Sequence, residues 1–423
     1  MLCAMLKVDA LIEHIALAEL RMLCAVDPAA ATRKAKRMSR SEEDFVRGAL
    51  PLVVPWLTSE VGADGPWVWS IGDAHQGNFA TLAVGKMDRE GIVPVTYGIA
   101  DVDDEGPAPW SWDLLRLLSS VAVMLPALKR TLFSELCMVT LEAYRECMSR
   151  FAHDDGMAAR IDGNGLPEGI KALLLAGSGE AQHKRFMATM VSGTGAAARL
   201  RRGDDIVDDE VGLHALRAAW AGQPDLPEHT ILDGARRLNP GGLSSLGRRR
   251  WWLLLREAKP VPRLRLIELK ERSPSVLSRV IPVSPFSAWM REDRPRPECS
   301  IMGGDPFQRV LRLATGEYLA RTRCHTRAVL ALDTLDGGDR RRLGHLYGQL
   351  LATFHWQGLS QLTPDAAERC GAIAKASTTW DELLPKRATQ LADHLGALAT
   401  AFRDRVQPLI KVRKDHPDTI VLD

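Results

Sequence analysis

The sequence predicts an α+β protein of two lobes, one rich in helices and one built on a small antiparallel sheet. Apolar residues recur at helical spacing through the first half of the chain and again near its end. Between Gly241 and Lys270 the pattern changes to short apolar runs divided by Gly and Pro turns. A third feature, Ile71 to Asp113, sets apolar runs against Gly, Asp and Asn at spacings that packing alone does not require. The expected division is 1–225 for most of the large lobe, 226–335 for the sheet lobe, and 336–423 for helices returning to the large lobe.

The 423 residues are enough for two lobes. Hydrophobic residues are 46% and charged residues 26%, ordinary for a soluble globular protein. Lys and Arg number 55 against 53 Asp and Glu, so no global basic field argues for nucleic acid. The arginine clusters Arg199 to Arg202, Arg248 to Arg250 and Arg340 to Arg342 are expected as solvated faces. The 7 cysteines are scattered, with no Cys-x-x-Cys pair, which suits a reducing compartment better than a zinc site or disulfide framework. The first twenty residues carry Lys7, Asp9, Glu13 and Glu19 and lack a signal pattern. No apolar run approaches the roughly eighteen residues of a membrane helix. The expectation is a cytoplasmic protein without membrane or nucleic-acid partners; nothing specifies its oligomeric state.

In chain order, residues 4–26 are expected as an amphipathic helix with Leu11, Ile15, Ala18 and Met22 on one face. Ser39 or Ser41 caps the next helix, with Glu42 and Glu43 in its first turn and Phe45, Leu50, Val53 and Val54 facing inward. The apolar run Trp67 to Ile71 then leads into Gly72-Asp73, and Asn78 follows five positions later. A hairpin-like insert, Gly85 to Gly91, precedes the strand Ile92 to Ile99. That strand delivers Asp101-Val102-Asp103-Asp104, and Asp113 opens a helical pattern twelve positions beyond Asp101.

Phosphoryl transfer explains this layout. It needs a carboxylate to receive the acceptor's proton and oxygen ligands to hold magnesium against the nucleotide phosphates. An Asp followed five residues later by Asn supplies both from one loop, a spacing shared with protein kinases. A second Asp ending a neighbouring strand adds a metal ligand. The order Gly72, Asp73, His75, Asn78, then Asp101, then Asp113-Leu114 resembles the active-site segment of the aminoglycoside phosphotransferase and choline kinase-like superfamily. The plain alternative is a pair of turns with capping acids. A two-metal phosphoesterase also uses Gly-Asp-x-His, but it needs further His and Asp ligands. Its upstream Asp-x-His and downstream Gly-Asn-His strings are absent here.

A closer resemblance rests on Arg37-Met38, Ser41, Phe45-Val46-Arg47-Gly48, Gly72 to Phe79, Asp101 to Asp103, and Trp112 to Leu117. These residues are similar to the pattern of a bacterial family known as domain of unknown function 2252, with Ala100 where that family usually has Asn. Arg47 is then a candidate site residue or a structural ion pair.

Helices are expected over Trp112 to Met124, Leu132 to Phe151, Ile170 to Leu175 and Ala181 to Met190. Asp204 to Glu210 reads as a surface loop and Gly222 to His229 as a linker. Gly241 to Gly247, Trp251 to Leu255 and Leu264 to Lys270 then give a Gly-rich turn, a strand, a turn and a strand ending in Lys. It is neither a Walker loop nor a dinucleotide fingerprint. An ordinary hairpin ending in a snorkelling lysine is the plain alternative. In a kinase-like small lobe, Gly242, Ser244, Ser245 and Gly247 would lie over the phosphates and Lys270 would neutralise them. Glu271 would point to the opposite strand face from Lys270, leaving Glu317 as a weak candidate partner. Phe307 to Leu313 and His325 to Leu332, the latter with Arg327, are expected as further strands.

Leu343 to Gln357 has Leu346, Leu350 and Phe354 at helical spacing, and His355 as a packed helix residue. Leu391, Leu395, Leu398, Phe402 and Val406 form the stripe of a final helix. The resemblance implies a two-lobed protein kinase-like fold, circularly permuted, because the catalytic segment precedes the small lobe and its supporting helix follows it. It further implies an ATP- and Mg2+-dependent phosphotransferase acting on a small-molecule hydroxyl. Asp73 would be the base with His75 beside it. Asn78 and Asp101 would be metal ligands, Asp103 a reserve one, and Asp113 a brace for the loop. The other readings are a nucleotide-binding pseudoenzyme or a nucleotidyl transferase on the same fold.

Overall fold

The structure is a computed structural model that describes residues 8–85, 93–153, 165–177, 180–223, 226–238, 246–258, 263–272, 274–280, 305–323, 325 and 327–410. The helical N-terminus comprises α1 (Val8–Leu11), a π-helical turn (Ile12–Leu17) and α2 (Ala18–Val26). Asp27 then caps α3 (Pro28–Met38), accepting from the Ala30 amide at 2.8 Å with Pro28 at the first helical position. Of the two expected caps, Ser41 serves α4 (Glu42–Val46), accepting from Asp44 N at 3.1 Å. Helix α5 (Leu50–Glu60) completes this layer.

Four short strands follow: β1 (Trp67–Ser70), β2 (Phe79–Ala83), β3 (Val95–Ile99) and β4 (Gly106–Pro109). They form two antiparallel pairs, β1 with β4 and β2 with β3. Helices α6 (Ser111–Met124), α7 (Arg130–His153), α8 (Glu168–Gly177) and α9 (Glu180–Met190) come next, close to the expected spans. The expected insert lies, from residue 86 onward, outside the described residues.

The sheet lobe is entered through β5 (Val191–Ser192), β6 (Arg199–Leu200), β7 (Ile206–Val207) and α10 (Glu210–Ala221). It continues with β8 (His229–Arg237), β9 (Arg250–Glu257), β10 (Arg263–Arg272), α11 (Val276–Val280), β11 (Arg309–Leu313) and β12 (Gly316–Thr322). Six strands form one antiparallel sheet in the order β11-β12-β10-β9-β8-β7. The run expected as an acidic loop therefore supplies the edge strand β7 and, at Asp209, the cap of α10. Leu216 and Trp220 of α10 share a core with Trp251, Leu253, Ile267 and Leu269.

The described residues of His325 to Leu332 form no strand: a single bridge joins Val329 to Ala80, and Thr81 N donates to Ala328 O at 2.9 Å. The strand that takes its place is β12, folded back from β11 at Gly316, whose φ of +132° suits a residue without a side chain.

Helices α12 (Gly337–Leu362) and α13 (Ala366–Ser377) pack on α7, and α14 (Leu383–Val406) packs on α6. The expected stripe of α14, Leu391 to Val406, is fully buried in the main core. Helices α12 and α7 lie unusually close because Gly344 and Gly348 face α7: a Cβ built on Gly348 would stand 2.4 Å from Thr140 O and 2.7 Å from Tyr144 N. No helix among the described residues is long and apolar enough to cross a membrane.

The Gly348 contact is with backbone, which cannot swing aside. Gly348→Ala should lower the unfolding free energy by about 1–3 kcal/mol, the usual cost of overpacking. Urea denaturation that leaves the midpoint unchanged would show that the two helices separate freely.

Candidate active site between the lobes

The loop after β1 is fixed by one buried carboxylate. Asp113, in the first turn of α6, accepts hydrogen bonds from Ile71 N at 2.7 Å, Gly72 N at 3.2 Å and Ser70 Oγ at 2.8 Å. His355 Nε2 lies 2.9 Å from the same carboxylate, and its Nδ1 lies 2.7 Å from the Tyr144 hydroxyl. The helix expected over Leu343 to Gln357 thus stands beside the loop, with the Tyr347 ring 5.1 Å from Phe79 and Gly358 against Trp69. Gly72 is required here: its φ is +79°, and a Cβ would come within 2.1 Å of Asp104 O.

Asp73 is buried, and its Oδ1 is held by Arg116, with Nε at 3.1 Å and Nη2 at 2.8 Å. Arg116 also donates to Val46 O. Oδ2 faces His75 Nε2 at 3.6 Å. Asn78 Nδ2 donates to Asp73 O at 2.8 Å, which leaves the amide oxygen of Asn78 for another partner. Burial, opposed by Arg116, pushes the Asp73 carboxyl up to about 7. Burial and the positive neighbours Arg116 and Arg47 hold His75 well below its ordinary value, so its ring is neutral.

The run after β3 meets the sheet lobe in a series of ion pairs. Lys270 Nζ stands 3.0 and 3.2 Å from the two Asp101 oxygens and also contacts Asp103. Arg248 reaches Asp103 at 2.9 Å and Asp104 at 4.0 Å. Arg272 pairs with Glu105, which also accepts from Trp69 Nε1 at 3.2 Å. Burial pushes Asp101 up, but Lys270, Arg327 and Arg321 outweigh it and keep the carboxyl well below the usual range. Burial raises Asp104 against the pull of Arg248.

Alternation along β10 carries this arrangement. Glu268, Lys270 and Arg272 face the large lobe, while Ile267 and Leu269 face the α10 core. Glu271 points away, as expected, and pairs with Arg249. Glu317, the weak candidate for Lys270, pairs instead with Arg312. The carboxylates of Lys270 come from the loop of the other lobe, because that is the surface its strand face meets.

Of the expected phosphate turn, Gly242, Ser244 and Ser245 lie outside the described residues. Gly247 has a φ of +84° and packs on Leu23. Two cavities flank the loop. One, of about 240 Å³, is lined by Asp73, Asp104, Arg47 and Arg248 with Leu23, Leu50 and Val276. The other, a cleft of about 390 Å³, is lined by His75, Asn78 and Asp101 on one side and Arg250, Trp252 and Glu268 on the other. Arg47 borders both and also pairs with Glu43 at 2.5 Å, so it is an ion-pair residue and a lining residue together.

Sequence reasoning missed Arg116, Arg237, Arg250 and Arg323. Arg116 had a sign: it lies three residues after Asp113, on the adjoining turn of the same helix. Arg248 to Arg250 were expected as a solvated face, but Arg248 and Arg250 point into the interface, where acids compensate them. Among the described residues no group of three or more His, Cys, Asp or Glu is placed to hold a metal ion.

A family model described as an uncharacterized protein conserved in bacteria (DUF2252) matches residues 26–405. Neither the curated proteins nor the solved structures give a match.

Removing Asp113 would orphan the buried Ile71 amide and the Ser70 hydroxyl and leave His355 with Tyr144 alone, while Gly72 N keeps Ser70 Oγ at 2.9 Å. Each unsatisfied buried donor costs about 1–3 kcal/mol, so Asp113→Ala should cost roughly 3 kcal/mol or more. A loss below about 1 kcal/mol in equilibrium unfolding would mean the loop does not depend on this carboxylate.

Proposed function

We propose that this chain, which belongs to the bacterial domain of unknown function 2252 family, is an ATP- and magnesium-dependent phosphotransferase. Its fold would be a circularly permuted kinase-like one, and its acceptor the hydroxyl of a small molecule. One observation carries the reading: the Asp73 to Asn78 loop, Asp101 and Lys270 converge between the lobes although Asp101 and Lys270 are 169 residues apart in sequence. Turns with capping acids give no reason for that convergence.

Asp73 suits the role of proton acceptor. Arg116 fixes one oxygen, and the residue borders the cavity where an acceptor would enter. A carboxyl near 7 is poised for general-base work at neutral pH. His75, being neutral, adds no competing charge. Asn78 and Asp101 are hard oxygen donors on the same cleft. Magnesium takes few protein ligands and completes its shell with water and phosphate, so a donor set of this size fits it. When bound, the ion would supply charge neutralisation for the transferred phosphoryl group. Lys270, already on Asp101, would stay within reach of the same charge.

A binding-only module is favoured by one observation. Lys270 is paired with Asp101 and Asp103, so a metal ligand must be shared with a lysine.

ATP with magnesium should raise the melting temperature, since a ligand of the folded state stabilises it by mass action; no shift at millimolar concentrations would sink the proposal. Asp73→Asn should lower turnover about a hundredfold or more while ATP still binds. Asp101→Asn should instead weaken the magnesium dependence of ATP binding, and a reversed pattern would exchange the two roles. A further expectation concerns pH. Because the base works only when ionised, kcat/KM should fall about tenfold per unit below roughly pH 7 and level off above it. A flat profile across that range would exclude Asp73 as the base.

A further inference from the structure

The cleft of about 390 Å³ has a charge balance that the ion pairs between the lobes do not explain. Six arginines line it, Arg37 and Arg47 from the large lobe and Arg237, Arg250, Arg323 and Arg327 from the sheet side, against two carboxylates, Asp101 and Glu268. Both carboxylates are committed. Asp101 holds Lys270, and Glu268 is shared by Arg250 at 3.0 Å and Arg323 at 3.2 Å. Neither the Arg237 nor the Arg327 side chain is hydrogen-bonded or ion-paired to another described residue, although Glu268 acts on the first and Asp101 on the second from farther off. Arg237 lies over the Trp252 ring with its guanidinium carbon 4.5 Å from the centroid. Burial, and after it the nearby Arg323, hold Arg237 below its ordinary range.

Folding brings these side chains together at a cost in repulsion, which an anion would relieve. The guanidinium fork suits phosphate oxygens. The cavity volume is that of a small-molecule site, and a concave basic pocket of this size suits a short phosphate chain. It also opens directly on His75, Asn78 and Asp101.

We propose that this cleft is the phosphate site of the protein and takes the triphosphate chain of the donor, with Arg237 and Arg327 as its principal cations. The proposal rests on the phosphotransferase reading for the donor's identity, but the anion site stands on the cleft itself. It assigns phosphate binding to arginines of β8 and of the segment after β12. Lys270 is left chiefly to hold Asp101 and Asp103 in place.

The test is calorimetric titration of the full chain with inorganic tripolyphosphate, pyrophosphate and orthophosphate at fixed ionic strength. Affinity should rise with chain length. Arg237→Ala and Arg327→Ala should each weaken tripolyphosphate about tenfold, the loss of one charge-assisted hydrogen bond. Arg341→Ala removes an equal charge from the exposed start of α12 and should leave binding unchanged. Arg327→Gln keeps the bulk of the side chain and serves as the second variant if truncation alters the melt. Absence of tripolyphosphate binding, or binding indifferent to both cleft arginines, overturns the proposal. The two readings fail separately. Tripolyphosphate bound through these arginines without any ATP turnover would retain the cleft and remove the transferase. ATP turnover at unchanged KM in both arginine variants would retain the transferase and remove the cleft.

Discussion

The buried ion pairs between the run Asp101 to Glu105 and the cations Arg248, Lys270 and Arg272 are the constraint on which the rest of the structure depends. They join the loop after β3 to β10 and to the turn before β9, and Asp103, Glu105, Lys270 and Arg272 are all nearly inaccessible to water. Charges desolvated this completely repay their cost only when partner and geometry are both right. The array therefore contributes position more than stability. Sliding β10 by one residue would turn Lys270 and Arg272 into the apolar core and bring Leu269 and Glu271 against the acids. The register of the sheet and the placement of the loop are in this way decided together.

The loop bearing Asp73 is held from the opposite side by the neutral and charged groups around Asp113. Tyr144 from α7, His355 from α12 and the amides of Ile71 and Gly72 meet on or behind one carboxylate. Three segments far apart in sequence thus fix the backbone direction at Gly72. That direction buries Asp73 against Arg116, where desolvation and a fixed guanidinium oppose each other and leave the carboxyl near 7. The unusual acidity follows from the same packing that orders the loop.

The two cavities on either side of the loop differ in character. One mixes apolar side chains with Asp73 and Asp104, and the other is lined by guanidinium groups. Arg47 borders both, and Asp73 lines the first but not the arginine-rich second.

Much of this was legible in the sequence. The spacing of Gly72, Asp73, Asn78, Asp101 and Asp113 is local, and local spacing sets which residues share a loop, a strand end or a helix turn. Helical periodicity likewise determined α6, α7 and α14, and period-two alternation determined that Lys270 and Glu271 face opposite ways. The partners were decided only by the tertiary structure. Nothing near Lys270 in sequence reveals that its carboxylates are Asp101 and Asp103, nor that Arg248 and Arg250 are paired with acids rather than solvated. A guanidinium is tolerated inside only where an acid from another element meets it, and that meeting depends on how the lobes close. The arginine cleft was invisible for the same reason: its cations are spread from Arg37 to Arg327 and share no pattern until folding sets them around one space.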